Sequence, residues 1–234
     1  MEKKTKSITV TQFDYIITPD NEEEVDEHGH PNHYTEFDPE GNALRDVRYN
    51  RLGEFEEMFE YSYDAKGNRT REVYYLSEDE VAEEKTFEHD EEGQLLRAFK
   101  HYQDGSLDTI SYAYDEKGQL KSCTTTTDED EIEQVETFEW ENGELVGHVV
   151  TDENGDEIPE PENLIKPSET KITTNEKGLV VTEEEVNEEG DVYMTINRSY
   201  LENDLPDEID VFIDGMGRAV SRHYFLKYEY TYFE

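Results

Sequence analysis

Aromatic and apolar residues occupy every second position in short runs along this chain: Tyr61 and Tyr63, Phe87 and His89, Tyr112 and Tyr114, Phe138 and Trp140, with Phe37 in the same place ahead of them. A period of two puts such residues on one face of a β-strand. Each run is cut by a short polar segment: DPEG after Phe37, DAKG after Tyr63, DEEG after His89 and DEKG after Tyr114. Aspartate at the first position of a turn bonds the backbone two residues on, and glycine three positions later adopts positive φ, a combination that predicts a tight reversal followed by a bulge. The predicted turns are therefore Asp38 to Gly41, Asp64 to Gly67, Asp90 to Gly93 and Asp115 to Gly118, with Gly143 next in the series and DGMG at 214–217 of the same form. Gly29, Gly53, Gly105 and Gly155 each stand a dozen residues from a glycine of this series and predict the intervening turns. What lies between turns suits one strand and is too short for a helix with its connections. The fold class predicted is all-β: an antiparallel β-meander of repeated hairpins forming a curved or twisted repeat sheet.

After the turns, Val47, Val73, Leu95, Phe99, Leu120, Leu145 and Val149 continue the alternation, and Arg45, Arg71 and Arg97 hold equivalent positions. These residues are expected on the same face as the aromatic runs, the arginines packing their stems there and stacking on rings or meeting carboxylates. The pattern weakens past Asp156, where EIPEPENLIKPSE carries three prolines and cannot continue a central strand. The organisation predicted is one elongated domain over 1–234: regular repeats over 1–155, a proline-rich loop or crossing over 156–168, and degenerate repeats over 169–234. The last run, LKYEYTYFE, puts Tyr228, Tyr230 and Tyr232 on one face and is expected as a closing or edge strand.

Composition changes the picture in two ways. Hydrophobic residues make up 33% and charged residues 35%, a balance typical of disorder, but 16 Tyr and 10 Phe supply apolar area that a disordered chain lacks. The core is accordingly expected to be thin. The formal charge of -41 argues against nucleic-acid binding, which needs Lys and Arg to neutralise phosphates, and against an anionic membrane surface. No stretch has the length and apolarity of a transmembrane helix, and the polar alternation of SITVTQFDYIITPD after Lys3, Lys4 and Lys6 differs from a signal peptide. The single Cys123 leaves no internal disulfide, so a cytoplasmic location is expected.

Candidate chemistry is sparse. His28, His30 and His33 in HGHPNH could bind a transition metal, but no cysteine or fixed fourth ligand accompanies them, and a polar turn is the plainer reading. EDEVAEE and DEDEIE lack the glycine and terminal bidentate glutamate of a calcium loop and read as solvated turns. Cys123 in LKSCTTTT has no nucleophile setting, and neither a Gly-x-Ser-x-Gly elbow nor a phosphate-cradling loop is present. The expectation is a protein that is not an enzyme and needs no cofactor.

YSYDAKGNRT, YAYDEKGQLK and FEHDEEGQLL resemble the Tyr-Asp-x-x-Gly-Arg/Gln-Leu core of the YD repeats of Rhs and related polymorphic-toxin proteins, over about residues 30–150. In that family long arrays form a spiralling β-sheet that can enclose a toxin. This chain is short and very acidic, and lacks a recognisable toxin or autoprotease segment, so the resemblance implies a short curved sheet rather than a closed shell.

Two functions follow. One is an acidic protein-interaction module, an immunity, antitoxin or defence-associated protein that covers a basic partner by nucleic-acid mimicry. Its expected contacts are Glu78, Asp79, Glu80, Asp128, Glu129, Asp130 and Glu131. The other is a structural YD-repeat component that assembles with itself or a larger complex through aromatic edges such as YEYTYF.

Overall fold

The computed structural model describes residues 3–17, 23–26, 28–159, 169–187, 189–215 and 221–234. The segment 160–168 lies outside them, which leaves most of the proline-rich crossing undescribed, as does 216–220, which contains the end of DGMG. The described elements are all strands: β1 (Thr5–Ile17), β2 (Glu23–Val25), β3 (His30–Phe37), β4 (Ala43–Tyr49), β5 (Phe55–Tyr63), β6 (Arg69–Ser77), β7 (Glu80–His89), β8 (Leu95–His101) and β9 (Leu107–Tyr114). They continue with β10 (Leu120–Thr126), β11 (Ile132–Glu141), β12 (Glu144–Asp152), β13 (Glu169–Thr174), β14 (Val180–Val186), β15 (Val192–Tyr200), β16 (Pro206–Ile213) and β17 (Arg222–Tyr232). The described pairings are antiparallel, and the all-β meander is the fold.

The chain divides into two compact units, Met1–Glu56 with Asn163–Glu234, and Glu57–Glu162. The first draws on both ends of the chain, a division that the proline-rich stretch does not anticipate. In it β1 is central, pairing with β3 on one side and β17 on the other, and β17 continues through β16, β15 and β14 to β13. The YEYTYF strand therefore closes this sheet, with β1 and β16 as its two neighbours, and is not an edge open to self-assembly. Ile8 faces Tyr230 and Val10 faces Tyr228 across the junction, Phe13 stacks on Phe225 at 4.9 Å, and Tyr15 stacks on His223 at 3.8 Å. Gly29 is not a turn glycine: a Cβ there would stand 2.5 Å from the Phe13 ring, so its lack of a side chain admits that ring.

In the second unit each strand from β5 to β12 pairs with the next. One face carries Phe59 and Tyr61, then Tyr74, Phe87, Ala98, Tyr112, Cys123, Phe138 and His148, as the cross-strand register requires. Val73, Phe99 and Val149 lie on the other face, with Arg71 and Arg97, which corrects the expectation that they share the aromatic face. The reason is the bulge after each turn. Tyr63 pairs with Arg69 but Ser62 with Arg71, so Thr70 is skipped and the parity inverts. Leu95, Leu120 and Leu145, which precede the skip, stay opposite His89, Tyr114 and Trp140.

The core is as thin as the composition implies. The buried apolar side chains are Val10, Val47, Met58, Val73, Ala98, Cys123, Val186 and Val211, nearly all small. Val73 is fully enclosed although its cross-strand neighbours are Glu60 and Glu84; on the same face Arg71 reaches Glu84 at 2.6 Å and Tyr75 donates to Glu60 at 2.9 Å.

Candidate functional site

The turns place the candidate residues, and one backbone plan makes nearly all of them. In the Asp64 turn, the Asp64 amide donates to the Asn68 carbonyl at 2.9 Å and the Gly67 amide to the Asp64 carbonyl at 3.1 Å. The same pair of bonds recurs at Asp38, Asn50, Asp90, Tyr102, Asp115, Thr127, Asp152, Asn175, Asn187 and Leu201. Asp64 Oδ1 accepts the amides of Lys66 and Asn68, and Asp38, Asp90, Asp115 and Asp152 do likewise. Hydrogen bonds from Asn42, Asn68 and Asp156 respectively hold the Asp38, Asp64 and Asp152 carboxyls below the ordinary aspartate range. Gly143 differs: it follows Asn142 in a two-residue hairpin loop in which both have positive φ, the Asn-Gly signature.

Two turns of this plan contain no glycine. At Thr127 and Leu201 the left-handed position is held by Asp130 (φ 62) and Asp204 (φ 65), the residue type after glycine and asparagine that tolerates it. Asp130, expected as a partner contact, is thus also the hinge of its own turn.

An aromatic residue near the end of a strand also has a role the spacing alone did not show. Tyr114 donates to the Leu95 carbonyl at 2.9 Å, Trp140 Nε1 to Leu120 at 2.7 Å, Tyr200 to Val180 at 2.6 Å and Tyr230 to Pro206 at 2.7 Å. Each acceptor lies two residues past the left-handed residue of the preceding turn on that rim. The ring thus ties one repeat to the last. Burial pushes the Tyr230 hydroxyl up to about 12. Tyr114→Phe is expected to lower stability by about 1 kcal/mol, the ordinary worth of such a bond. Tyr112→Phe, which removes a half-buried hydroxyl without one, should cost less than about 0.5 kcal/mol; urea denaturation of the two variants checks the difference.

In a meander, alternate turns project from the same end of the sheet. The turns holding Glu78 to Glu80 and Asp128 to Glu131 follow β6 and β10, so all seven candidate residues share one rim of the second unit, and all are exposed. The turn after β8, with Asp104, and the one after β12, with Asp152, Glu153 and Asp156, complete that rim. Its turns, at 77–80, 102–106, 127–131 and 152–156, carry 11 acidic residues and no Lys or Arg. The opposite rim, at 64–68, 90–94, 115–119 and 141–144, carries 8 acidic residues with Lys66 and Lys117 among them, and Lys66 reaches across to the Glu91 carbonyl at 2.7 Å. The acidic rim also holds a cleft of about 580 Å³ lined by Thr127, Glu131, Ile132, Glu133 and Glu153.

The other candidates are placed separately. His28, His30 and His33 face three different carboxylates, Asp26 at 3.3 Å, Asp14 at 3.2 Å and Asp46 at 2.9 Å, and no group of metal-ligating side chains is assembled among the described residues. Burial opposes ionisation of Asp46, but His33, Thr35 and Arg48 outweigh it and hold its carboxyl below the ordinary range. Burial pushes the Cys123 thiol up to about 11, so it is protonated at neutral pH.

No protein-family model matches the chain, and no curated protein matches it. Among solved structures it is similar to a porin-like protein from Bacteroides uniformis, at 9% identity and a TM-score of 0.42, covering 98% of this chain and 99% of that one. It is similar to a Photorhabdus luminescens Tc holotoxin pore at 11% identity and a TM-score of 0.34, covering 85% of this chain and 11% of that one. A porin-like protein from Bacteroides vulgatus matches at 15% identity and a TM-score of 0.26, covering 98% of this chain and 99% of that one.

Proposed function

We propose that this protein is a non-enzymatic acidic interaction module that binds a basic partner protein through the rim of its second unit whose turns carry no Lys or Arg, in the manner of an immunity, antitoxin or defence-associated protein occupying a nucleic-acid site. The observation that carries this is the rim's linear charge density. Neighbouring turns on one rim stand two strand spacings apart, roughly 10 Å, so four turns extend roughly 30 Å. Eleven carboxylates over that length amount to one charge per roughly 3 Å, close to the spacing of about 3.4 Å along one strand of a DNA duplex. A surface built to hold phosphates meets a similar field here, on turns held in shape by their own backbone bonds. The Tyr-Asp-x-x-Gly runs resemble the YD repeats of toxin-associated proteins, and that resemblance supports the reading.

The test is capture from the native host at low and high salt, comparing the protein with a variant carrying Glu78→Lys, Asp79→Lys, Asp128→Lys and Glu129→Lys. Basic proteins should be enriched at low salt and released at high salt. The variant should bind its partner at least about tenfold more weakly, since four exposed charges at a few tenths to 1 kcal/mol each are reversed. Captured proteins no more basic than the lysate, or an unchanged affinity in the variant, would remove the reading.

A further inference from the structure

An asparagine or aspartate followed by glycine can close into a cyclic imide, because glycine has no Cβ to keep its amide nitrogen away from the side-chain carbonyl carbon of the residue before it. The chain has four such steps: Asp104 before Gly105, Asn142 before Gly143, Asn154 before Gly155 and Asp214 before Gly215. In three of them the nitrogen that would attack already donates a hydrogen bond: Gly105 to the Tyr102 carbonyl at 3.0 Å, Gly155 to the Asp152 carbonyl at 3.0 Å and Gly215 to Ser221 Oγ at 3.3 Å. The common backbone plan makes the first two of these bonds. At Asn154 it does more, since Asp152 Oδ1 accepts the amides of Asn154 and Asp156, each at 2.9 Å, and Asn154 Nδ2 donates to Glu153 Oε1 at 3.0 Å. Asn142 and Gly143 stand outside that plan, in the two-residue hairpin loop with positive φ at both positions. Among the described residues neither the Gly143 amide nor the Asn142 side chain makes a hydrogen bond. Both asparagines are exposed, so exposure does not separate them; hydrogen bonding does.

We propose that Asn142 is a modification site that deamidates spontaneously in the folded protein, while Asn154 is protected by its turn. The Gly143 amide gives its proton to solvent base and its nitrogen attacks Asn142 Cγ; the N–Cγ bond forms, the Cγ–Nδ2 bond breaks, and ammonia leaves with a proton from water. Water then adds to one of the two imide carbonyls and reopens the ring. Addition at Cγ leaves aspartate. Addition at the backbone carbonyl carbon leaves isoaspartate, in which the chain runs through Cβ and Cγ and is one atom longer. Either product places a new carboxylate between Glu141 and Glu144, on the rim that carries Lys66 and Lys117. Aspartate before glycine suits the same hairpin loop. Isoaspartate does not, and the lengthened loop disturbs the pairing of Glu141 with Glu144 and of Trp140 with Leu145. The imide forms only when the turn opens locally: at Asn142 this frees groups that no hydrogen bond holds, whereas at Asn154 it breaks the bonds to Asp152.

The test is incubation of the full chain at pH 8, folded and in urea, with peptide mapping by mass spectrometry to follow the amide-to-acid exchange at each asparagine. In urea the two sites should react at comparable rates, since glutamate precedes and glycine follows both. In the folded protein Asn142 should keep its urea rate within a factor of about three, and Asn154 should slow by about tenfold or more, the worth of a hydrogen bond or two. Asp152→Ala should return Asn154 toward its urea rate and leave Asn142 unchanged. Equal protection of the two sites on folding, or faster reaction at Asn154 than at Asn142, would overturn the proposal, as would an Asp152→Ala variant in which Asn154 stays as slow as before.

Discussion

Deletion of β17 is expected to unfold the first unit while the second keeps its protection. In that unit β17 lies between β1 and β16, so its loss strips both neighbours of a full ladder and leaves Val10, which is buried against Tyr228, open to water. The stacked pairs Phe13 with Phe225 and Tyr15 with His223 go with it. Burial of one aliphatic side chain stabilises by about 1.5 to 3 kcal/mol and an aromatic pair adds about 0.5 to 1.5. Together they come to about 2.5 to 6 kcal/mol before the lost ladder bonds are counted, which reaches the lower end of the range of about 5 to 15 kcal/mol that holds a whole domain together. Hydrogen exchange measures it: amides of β1, β3 and β16 should lose protection, whereas those of β6 to β11, each paired within the second unit, should retain it. Protection of β1 equal to that in the full chain would show that β3 alone suffices to hold it.

Which strand β17 would pair with was beyond reach of the sequence for a physical reason. Turns are local: an aspartate whose carboxylate bonds the next amides and a glycine at positive φ specify a reversal within five residues, so Asp38, Asp64, Asp90 and Asp115 could be placed from spelling alone. Pairing β1 with β17 joins the two ends of the chain, and nothing in the alternation of SITVTQFDYII says which distant strand it will meet. The regular spacing also concealed the parity inversion. One skipped residue per bulge, Thr70 in the β5 to β6 hairpin, sends Val73 and Arg71 to the face opposite Tyr61, an effect of geometry with no composition signal. Thr127 and Asp130 show the reverse case, where the backbone plan survives the loss of both signature residues.

The candidate residues were legible as acids but not as a group. Glu78 and Asp128 are some 50 positions apart, and what unites them is the rule that alternate turns of a meander share a rim. The cleft was not legible at all, because Ile132 and Glu153 meet only through the pairing of β11 with β12.

Val73→Asp is expected to be the most damaging single substitution in the second unit. Val73 is fully enclosed, and directly across from it on the two neighbouring strands stand Glu60 and Glu84. Arg71, hydrogen-bonded to Glu84, holds that carboxyl below its ordinary range, so the new aspartate would face an ionised neighbour with its counter-ion already engaged. The lost aliphatic burial and the unpaired buried charge together should cost about 3 to 5 kcal/mol, against about 1 to 2 for Val73→Thr, which has a similar shape and no charge. The sign of the pH dependence identifies the cause. Burial and like charge raise the folded-state pKa of the introduced carboxyl, so its destabilisation is complete above that value and diminishes as pH falls through it toward the unfolded value near 4. Urea midpoints measured from pH 8 to pH 5 should therefore converge on those of Val73→Thr at the acid end. A gap that stays constant across that range would mean that packing alone, and not a charge trapped between two glutamates, sets the cost.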